Sequence, residues 1–317
     1  MPLTNFPNGI FATPVVGANK FAGLWTSRVW FVDGTNGLNG NPGTDPSLSL
    51  ATITRAVALA GKDDTIYIRP LAAGSYYTES VIAPAASTGL SIIGTGHGKG
   101  GSVYQACTWR NSSNSVDDSA LELRPSHANV ENVHFFSRAA QSSGFGIKAY
   151  WNTGSGTNIG SSIVNCGFSA DLADHPAAAG VVQSAIRFDS SEGQLVEDCF
   201  FVDCRVGIAA GSTMNAWKEL VIRGNIFNGL AENIAADLML SDGTNLAVVG
   251  NHFGHTVPSH AAGTMTKYIF CIGGTTVTGS ASGNFFGSAN AGYGTDNTNN
   301  AGIIRSGNFY SAGIMTS

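Results

Sequence analysis

The sequence predicts an all-β parallel solenoid, a chain wound into stacked coils, and three observations predict it. A short phrase recurs, in which a strand ends in Gly, Asn or Asp and an aromatic follows two or three residues later. The copies are Asn132-Val133-His134-Phe135, Asn165-Cys166-Gly167-Phe168, Asp198-Cys199-Phe200-Phe201, Gly224-Asn225-Ile226-Phe227, Gly250-Asn251-His252-Phe253, Gly283-Asn284-Phe285-Phe286 and Gly307-Asn308-Phe309-Tyr310. Their last aromatics are 33, 33, 26, 26, 33 and 24 residues apart, a period that means one supersecondary unit stacked many times. Finally, each unit is rich in short apolar strands and carries no helical pattern.

Each coil contributes two readable strands. The first precedes the motif, as in Ile163-Val164, Leu195-Val196, Leu220-Val221-Ile222, Leu246-Ala247-Val248-Val249 and Ile303-Ile304. The second follows it. Ile147/Ala149, Ile186/Phe188, Ile208/Ala210, Ile234/Ala236 and Ile269/Cys271 point one way, and Lys148 and Arg187 point the other. A period of two with one apolar face is a half-buried strand.

Stacked coils lie about 4.8 Å apart, so equivalent residues form ladders. Asn225, Asn251, Asn284 and Asn308 share one register, which predicts an asparagine ladder at an inner turn. Amides bonded above and below avoid the cost of lone burial. Phe135, Phe168, Phe201, Phe227, Phe253, Phe286 and Tyr310 are expected to stack in the core. Cys166 and Cys199 share a register and read as small buried thiols rather than a disulfide. Coil length varies through insertions at fixed corners, Asp171 to Gly180 and Gly254 to Met265.

The front of the solenoid needs a cap. Residues 49–60 read as a capping helix, with Leu50, Ile53, Val57 and Ala60 on one face. Ser47 or Ser49 would begin it and Gly61 would end it. Asp33 to Asp45 reads as loop, and Thr65–Ile68 as the first clear coil strand. Residues 1–30 form an extended arm, and residues 31–317 the solenoid. The arm holds Pro2, Pro7 and Pro14 among Leu3, Phe6, Ile10, Phe11, Val15, Val16, Phe21, Leu24 and Trp25. A solvated linker would not be so apolar. The segment reads as a lid over the first coils, an anchor on another protein, or both.

Composition narrows the function. Of 317 residues, 43% are hydrophobic, 41 are glycine and only 12% are charged, so corners are tight and the surface rests on Ser, Thr, Asn and Gly. A net charge of -5 with no basic stripe argues against nucleic acid as a partner. No segment has the length and apolarity of a membrane-spanning helix. The start lacks the basic and apolar regions of a signal peptide. Five cysteines, an odd number with no close CxxC, fit free thiols made in a reducing cytoplasm.

Asp33-Gly34-Thr35-Asn36-Gly37, Ala51-Thr52-Ile53, Asp63-Asp64-Thr65-Ile66-Tyr67-Ile68 and Tyr77-Thr78-Glu79-Ser80 together resemble the opening of right-handed parallel β-helix proteins of the pectate-lyase type. That fold hosts lyases, hydrolases, phage tailspikes and inert rods, so it does not settle activity. Pro2-Leu3-Thr4-Asn5-Phe6-Pro7-Asn8-Gly9-Ile10, leading to Pro14-Val15-Val16-Gly17, is similar to the starts of bacteriophage virion proteins that carry a β-helix behind a short arm. The resemblance implies a non-enzymatic trimer on the virion surface, decorating the head through its arm. Leu3, Phe6, Ile10, Phe11, Val15 and Val16 would then bind the major capsid protein or another virion protein. The alternatives are a tailspike or fibre that binds or cleaves host surface glycan, and a free polysaccharide lyase or glycoside hydrolase.

An active site would need specific groups. Glu197, Asp198, Asp203 and Arg205 share one coil, but Glu197 lies in register with Arg223, which reads as a surface ion pair. Asp198 stands where other coils carry the turn asparagine. A glycosidase needs two carboxylates about 5–9 Å apart. Asp189 and Asp237 read as two coils apart with Gly211 between them, about 9.6 Å. Gly96-His97-Gly98 lacks accompanying carboxylates, and Asp117-Asp118 reads as solvated. His252, His255 and His260 cluster without a cysteine partner, and Asp171, Asp174 and His175 share a loop; neither makes a convincing metal site. No phosphate-binding loop or activated serine is present, so no cofactor is expected. Alanine at Glu197, Asp203, Asp189 or Asp237 is therefore expected to leave function intact.

Overall fold

The computed structural model describes residues 27–96, 106–112, 119–136, 146–150, 158–169, 184–189, 191–202, 204, 206–211, 216–229, 236–255, 267–271, 276–288, 302–310 and 313–314. They form a parallel β-helix of three sheets, A, B and C, with 11, 10 and 7 strands. Each full coil runs through sheet A, turns sharply into sheet B, crosses a longer connection into sheet C, and returns to sheet A. One such coil is Gly243–Val249 in A, His252–His255 in B and Lys267–Cys271 in C. Pairing between coils is parallel throughout, apart from a final antiparallel contact of Phe309–Tyr310 with Gly313–Ile314.

The predicted ladders are in place. At the turn from A to B, Asn132, Asn165, Asp198, Gly224, Gly250, Gly283 and Gly307 all have φ between 51° and 65°. This left-handed conformation suits glycine, and Asn or Asp next best. The following residue points inward and is Asn in the last four coils. Asn251 Oδ1 accepts from the backbone N and the Nδ2 of Asn225, each at 3.0 Å. Asn251 Nδ2 donates to Ile222 O at 2.9 Å and to Asn284 Oδ1 at 3.0 Å. Asn284 and Asn308 repeat the pattern. Cys166 and Cys199 hold the same register in earlier coils as buried free thiols, with Sγ 3.3–3.6 Å from backbone carbonyls. Beside them runs the aromatic stack. Phe135, Phe168, Phe201, Phe227, Phe253 and Phe286 lie 4.6–5.3 Å apart, centroid to centroid, and are buried. Trp109, unassigned by the motif, heads the stack 5.5 Å from Phe135. The Tyr310 side chain lies outside the described residues.

Several expectations need correcting. Val29–Val32 pairs with Thr65–Ile68 as a coil strand, so Val29 and Trp30 belong to the helix rather than the arm. The capping helix is shorter, Ile53–Leu59, with Thr52 as its N-cap. Leu50 is not helical; it bridges Val32 as extended chain and is fully buried. Asn39 Oδ1 accepts from the backbone of Ala51 and Thr52, which holds that stretch extended. The helix then starts over a distant carboxylate: Glu79 accepts from Ile53 N at 3.0 Å and Thr54 N at 2.7 Å, the favoured place for a negative charge. In sheet C, the partners of Ile208 and Ala210 are Leu238 and Leu240, not Ile234 and Ala236. The slip is four residues, an even number, so alternation alone could not detect it. Both expected insertions, 171–180 and 254–265, fall between a sheet B strand and a sheet C strand. Apart from Gly254 and His255 in the second, they lie outside the described residues.

Asn251 joins two coils through four hydrogen bonds. Asn251→Ala orphans buried donors and acceptors, each costing about 1–3 kcal/mol. Urea unfolding is expected to show a loss of about 3 kcal/mol or more. A loss below about 1 kcal/mol would mean that the ladder follows the fold without holding it.

Candidate functional site

The strands that build the core also build two outer faces, because alternate side chains turn outward. On sheet A the outward row runs Phe31, Tyr67, Ile93, Glu131, Val164, Glu197, Arg223, Val249. Phe31 and Tyr67 stack with centroids 5.9 Å apart. Burial pushes the Glu131 carboxyl above its ordinary value, against a hydrogen bond from Asn129 that lowers it. Burial, and then the Glu131 charge, push the Tyr67 hydroxyl up. Arg223 Nε lies 2.6 Å from Glu197 Oε1, and that hydrogen bond raises the guanidinium further. The ion pair expected from register is therefore formed.

On sheet B the outward row over the last coils is Phe200, Ile226, His252, Phe285, Phe309. Phe200, Ile226, His252 and Phe285 each immediately precede a core aromatic of the repeat, and Phe309 precedes Tyr310. Phe285 is 39% exposed and Phe309 47%. The His252 and Phe285 ring centroids are 4.8 Å apart. A Cβ on Gly254 would sit 3.1 Å from the His252 ring, and one on Gly287 would sit 3.0 Å from the Phe285 ring. These rings recline over the glycines of their own strands instead of standing out.

The weak catalytic candidates are not brought together. Asp189 pairs with Arg187 of its own strand, Nε to Oδ2 at 3.0 Å. Asp237 falls opposite Gly207, four positions from the register of Asp189, whose partners are Gly211 and then Ser241. Four residues along the strand and two coils across separate the two by about 16 Å, well beyond the range of a hydrolytic pair. The register proposed for them from sequence is thus overturned. Asp203 and Arg205 lie outside the described residues, as do His97, Asp117, Asp118, Asp171, Asp174, His175, His260 and the arm residues Leu3, Phe6, Ile10, Phe11, Val15 and Val16. Among the described residues, no three His, Cys, Asp or Glu side chains converge as metal ligands, and no helix is long and apolar enough to cross a membrane.

Sequence reasoning missed Glu131 and the outer aromatic row. The signal for the row was available: the residue before each core aromatic must face outward, and it is repeatedly apolar.

No family model matches the chain, and no curated protein sequence does. Solved structures do. The lacto-N-biosidase from Eubacterium ramulus has a TM-score of 0.50 at 12% identity, over 89% of this chain and 56% of that one. This chain thus spans little more than half of that protein's length. The pectin methylesterase from Aspergillus niger matches at 0.49 and 14% identity, over 90% of this chain and 86% of that one. The carrot pectin methylesterase matches at 0.46 and 12%, over 90% and 83%. At these identities the shared property is the parallel β-helix fold.

Glu131 makes stability pH-dependent in a definite direction. Its folded value lies above the ordinary 4.5, so the folded protein binds the proton more tightly than the unfolded chain. Stability is then greatest below pH 4.5 as far as this group is concerned, and falls as pH rises through the folded value. Glu131→Gln is expected to raise the denaturation midpoint at pH 7 and to leave it nearly unchanged at pH 4. An equal shift at both pH values would refute the burial of this charge.

Proposed function

We propose that this chain is a structural rod of a bacteriophage virion, displayed on the particle surface as a homotrimer. The arm that precedes Val29 holds it to the major capsid protein or another virion protein, through Leu3, Phe6, Ile10, Phe11, Val15 and Val16, and its flank meets host surface glycan. The observation that carries this reading is where the arm joins the rod. Val29–Val32 is the edge strand of sheet A, at the first coil. Immediately before it, Arg28 N donates to Asp64 Oδ1 at 2.6 Å, while Trp30 Nε1 and Gly61 N donate to Asp64 Oδ2 at 2.9 and 2.7 Å. Asp64 is buried. Three donors on one buried carboxylate fix the junction at the end of the stack. A segment joined there meets the rod at its end, the place for an end-on attachment. Symmetric copies multiply such an attachment without stronger single contacts.

A truncation lacking residues 1–25, offered to particles that lack the protein, tests this. The rod is expected to fold with an unchanged unfolding midpoint and to fail to decorate. Decoration equal to that of the intact chain would reduce the arm to a lid.

A second reading, cleavage of a glycan, is favoured by one observation. Glu131 and Glu197 stand two coils apart in one outward row with only Val164 between them. That is about 9.6 Å between backbone positions, marginally beyond the inverting range of about 6.5–9.5 Å between carboxyl groups. Glu131, desolvated, would hold the proton for the leaving oxygen. Incubation with neutral oligosaccharides and mass analysis decides: shortened products that vanish with Glu131→Gln support cleavage, and unchanged substrate removes it.

A further inference from the structure

We infer that the outer aromatic row of sheet B, His252, Phe285 and Phe309 with Phe200 and Ile226 before them, is a stacking strip that binds a neutral glycan chain running along the rod. The inference rests on the reading of the flank as glycan-facing and gives it a place.

Three observations carry it. The rings are exposed and lean along the sheet. Gly254 and Gly287 leave room for the His252 and Phe285 rings to lean over them, the two ring planes are tilted 57° to one another, and Phe285 and Phe309 are 39% and 47% exposed. A pyranose presents a flat C–H face, and an aromatic face is the surface that complements it. The rings are also regularly spaced. Each belongs to a successive coil, so one follows the next at about 4.8 Å, and the strip extends along the rod axis as a polymer would. Lastly, the strip is uncharged. Its row and the adjacent outward row, Val202, Asn228, Gly254 and Gly287, contain no Asp, Glu, Lys or Arg among the described residues. On the other side the turn residues Asp198, Gly224, Gly250, Gly283 and Gly307 bring one carboxylate, at the strip's first coil; a charged polymer would find no row of counter-charges there, whereas a neutral one needs none.

A second copy of the chain fits less well. A stable protein interface buries about 800 Å² per partner, and this strip is one residue wide beside a row containing two glycines. It offers few knobs and no holes for another protein to fill.

The test is affinity electrophoresis of the full chain in gels containing mixed-linkage β-glucan, galactomannan or dextran, with polygalacturonate as the charged control. The intact protein is expected to be retarded in at least one neutral gel. Phe285→Ala with Phe309→Ala should weaken that at least tenfold, and Phe285→Trp should preserve it. Gly287→Val removes no aromatic but occupies the space under the Phe285 ring, so it should weaken binding as well. Unfolding midpoints establish that each variant is folded. Retardation unchanged in the folded double variant would overturn the site while leaving the glycan reading intact. Retardation by polygalacturonate alone would overturn the neutral ligand. No retardation of the intact protein in any gel would overturn both the site and the glycan reading. Sedimentation as an oligomer that the double variant dissociates would assign the strip to self-association instead.

Discussion

The structure depends on how the chain turns from sheet A to sheet B. A residue with positive φ reverses direction there, and the next residue must point into the rod. Its backbone has just left one sheet and not yet entered the next, so its polar groups are buried without a regular partner. Asparagine solves this by carrying a second amide. Its Oδ1 takes the backbone N–H and side-chain N–H of the coil before, and its Nδ2 reaches a carbonyl there and the Oδ1 of the coil after. Each bond requires the neighbouring coil in register, so the turn sets the stacking of the whole rod. The phenylalanine stack two positions on inherits that register, since its rings meet face to face only if the turns align.

The earlier coils meet the same constraint with different chemistry. Asn132, Asn165 and Asp198 occupy the positive-φ position, and Cys166 and Cys199 the inward one. A thiol donates weakly and accepts weakly, so these coils rely more on the apolar stack. Cys199 still links the two regimes, because its backbone N donates to Asn225 Oδ1 at 2.8 Å. The first coil is closed by different means: the Ile53–Leu59 helix, held by Glu79, and the buried carboxylate of Asp64.

With the core so regular, the coils differ mainly in their outer faces, which are rows at the same spacing. An outward position recurs every coil, so the residues that occupy it line up as a row whatever their type. The sheet A row sets a desolvated carboxyl and an ion pair along one line. The sheet B row sets reclining rings along another. A parallel β-helix thus presents extended, evenly spaced features along its axis.

The fold, the asparagine ladder, the aromatic stack and the Glu197–Arg223 pairing were legible in the sequence because each is a local pattern repeated at coil spacing. Tertiary structure alone decided the rest. It moved the sheet C register at Asp237 by four residues, because Ile234/Ala236 and Leu238/Leu240 share the same alternation and only packing against Ile208 and Ala210 distinguishes them. It took Leu50 out of the helix, because its side chain fills the core beside Val32. It raised the Glu131 carboxyl, because burial of an outward group depends on what lies over it. Periodicity tells which residues face in; what a coil meets across a variable connection, and how deeply an outward side chain is covered, follow only from the assembled chain.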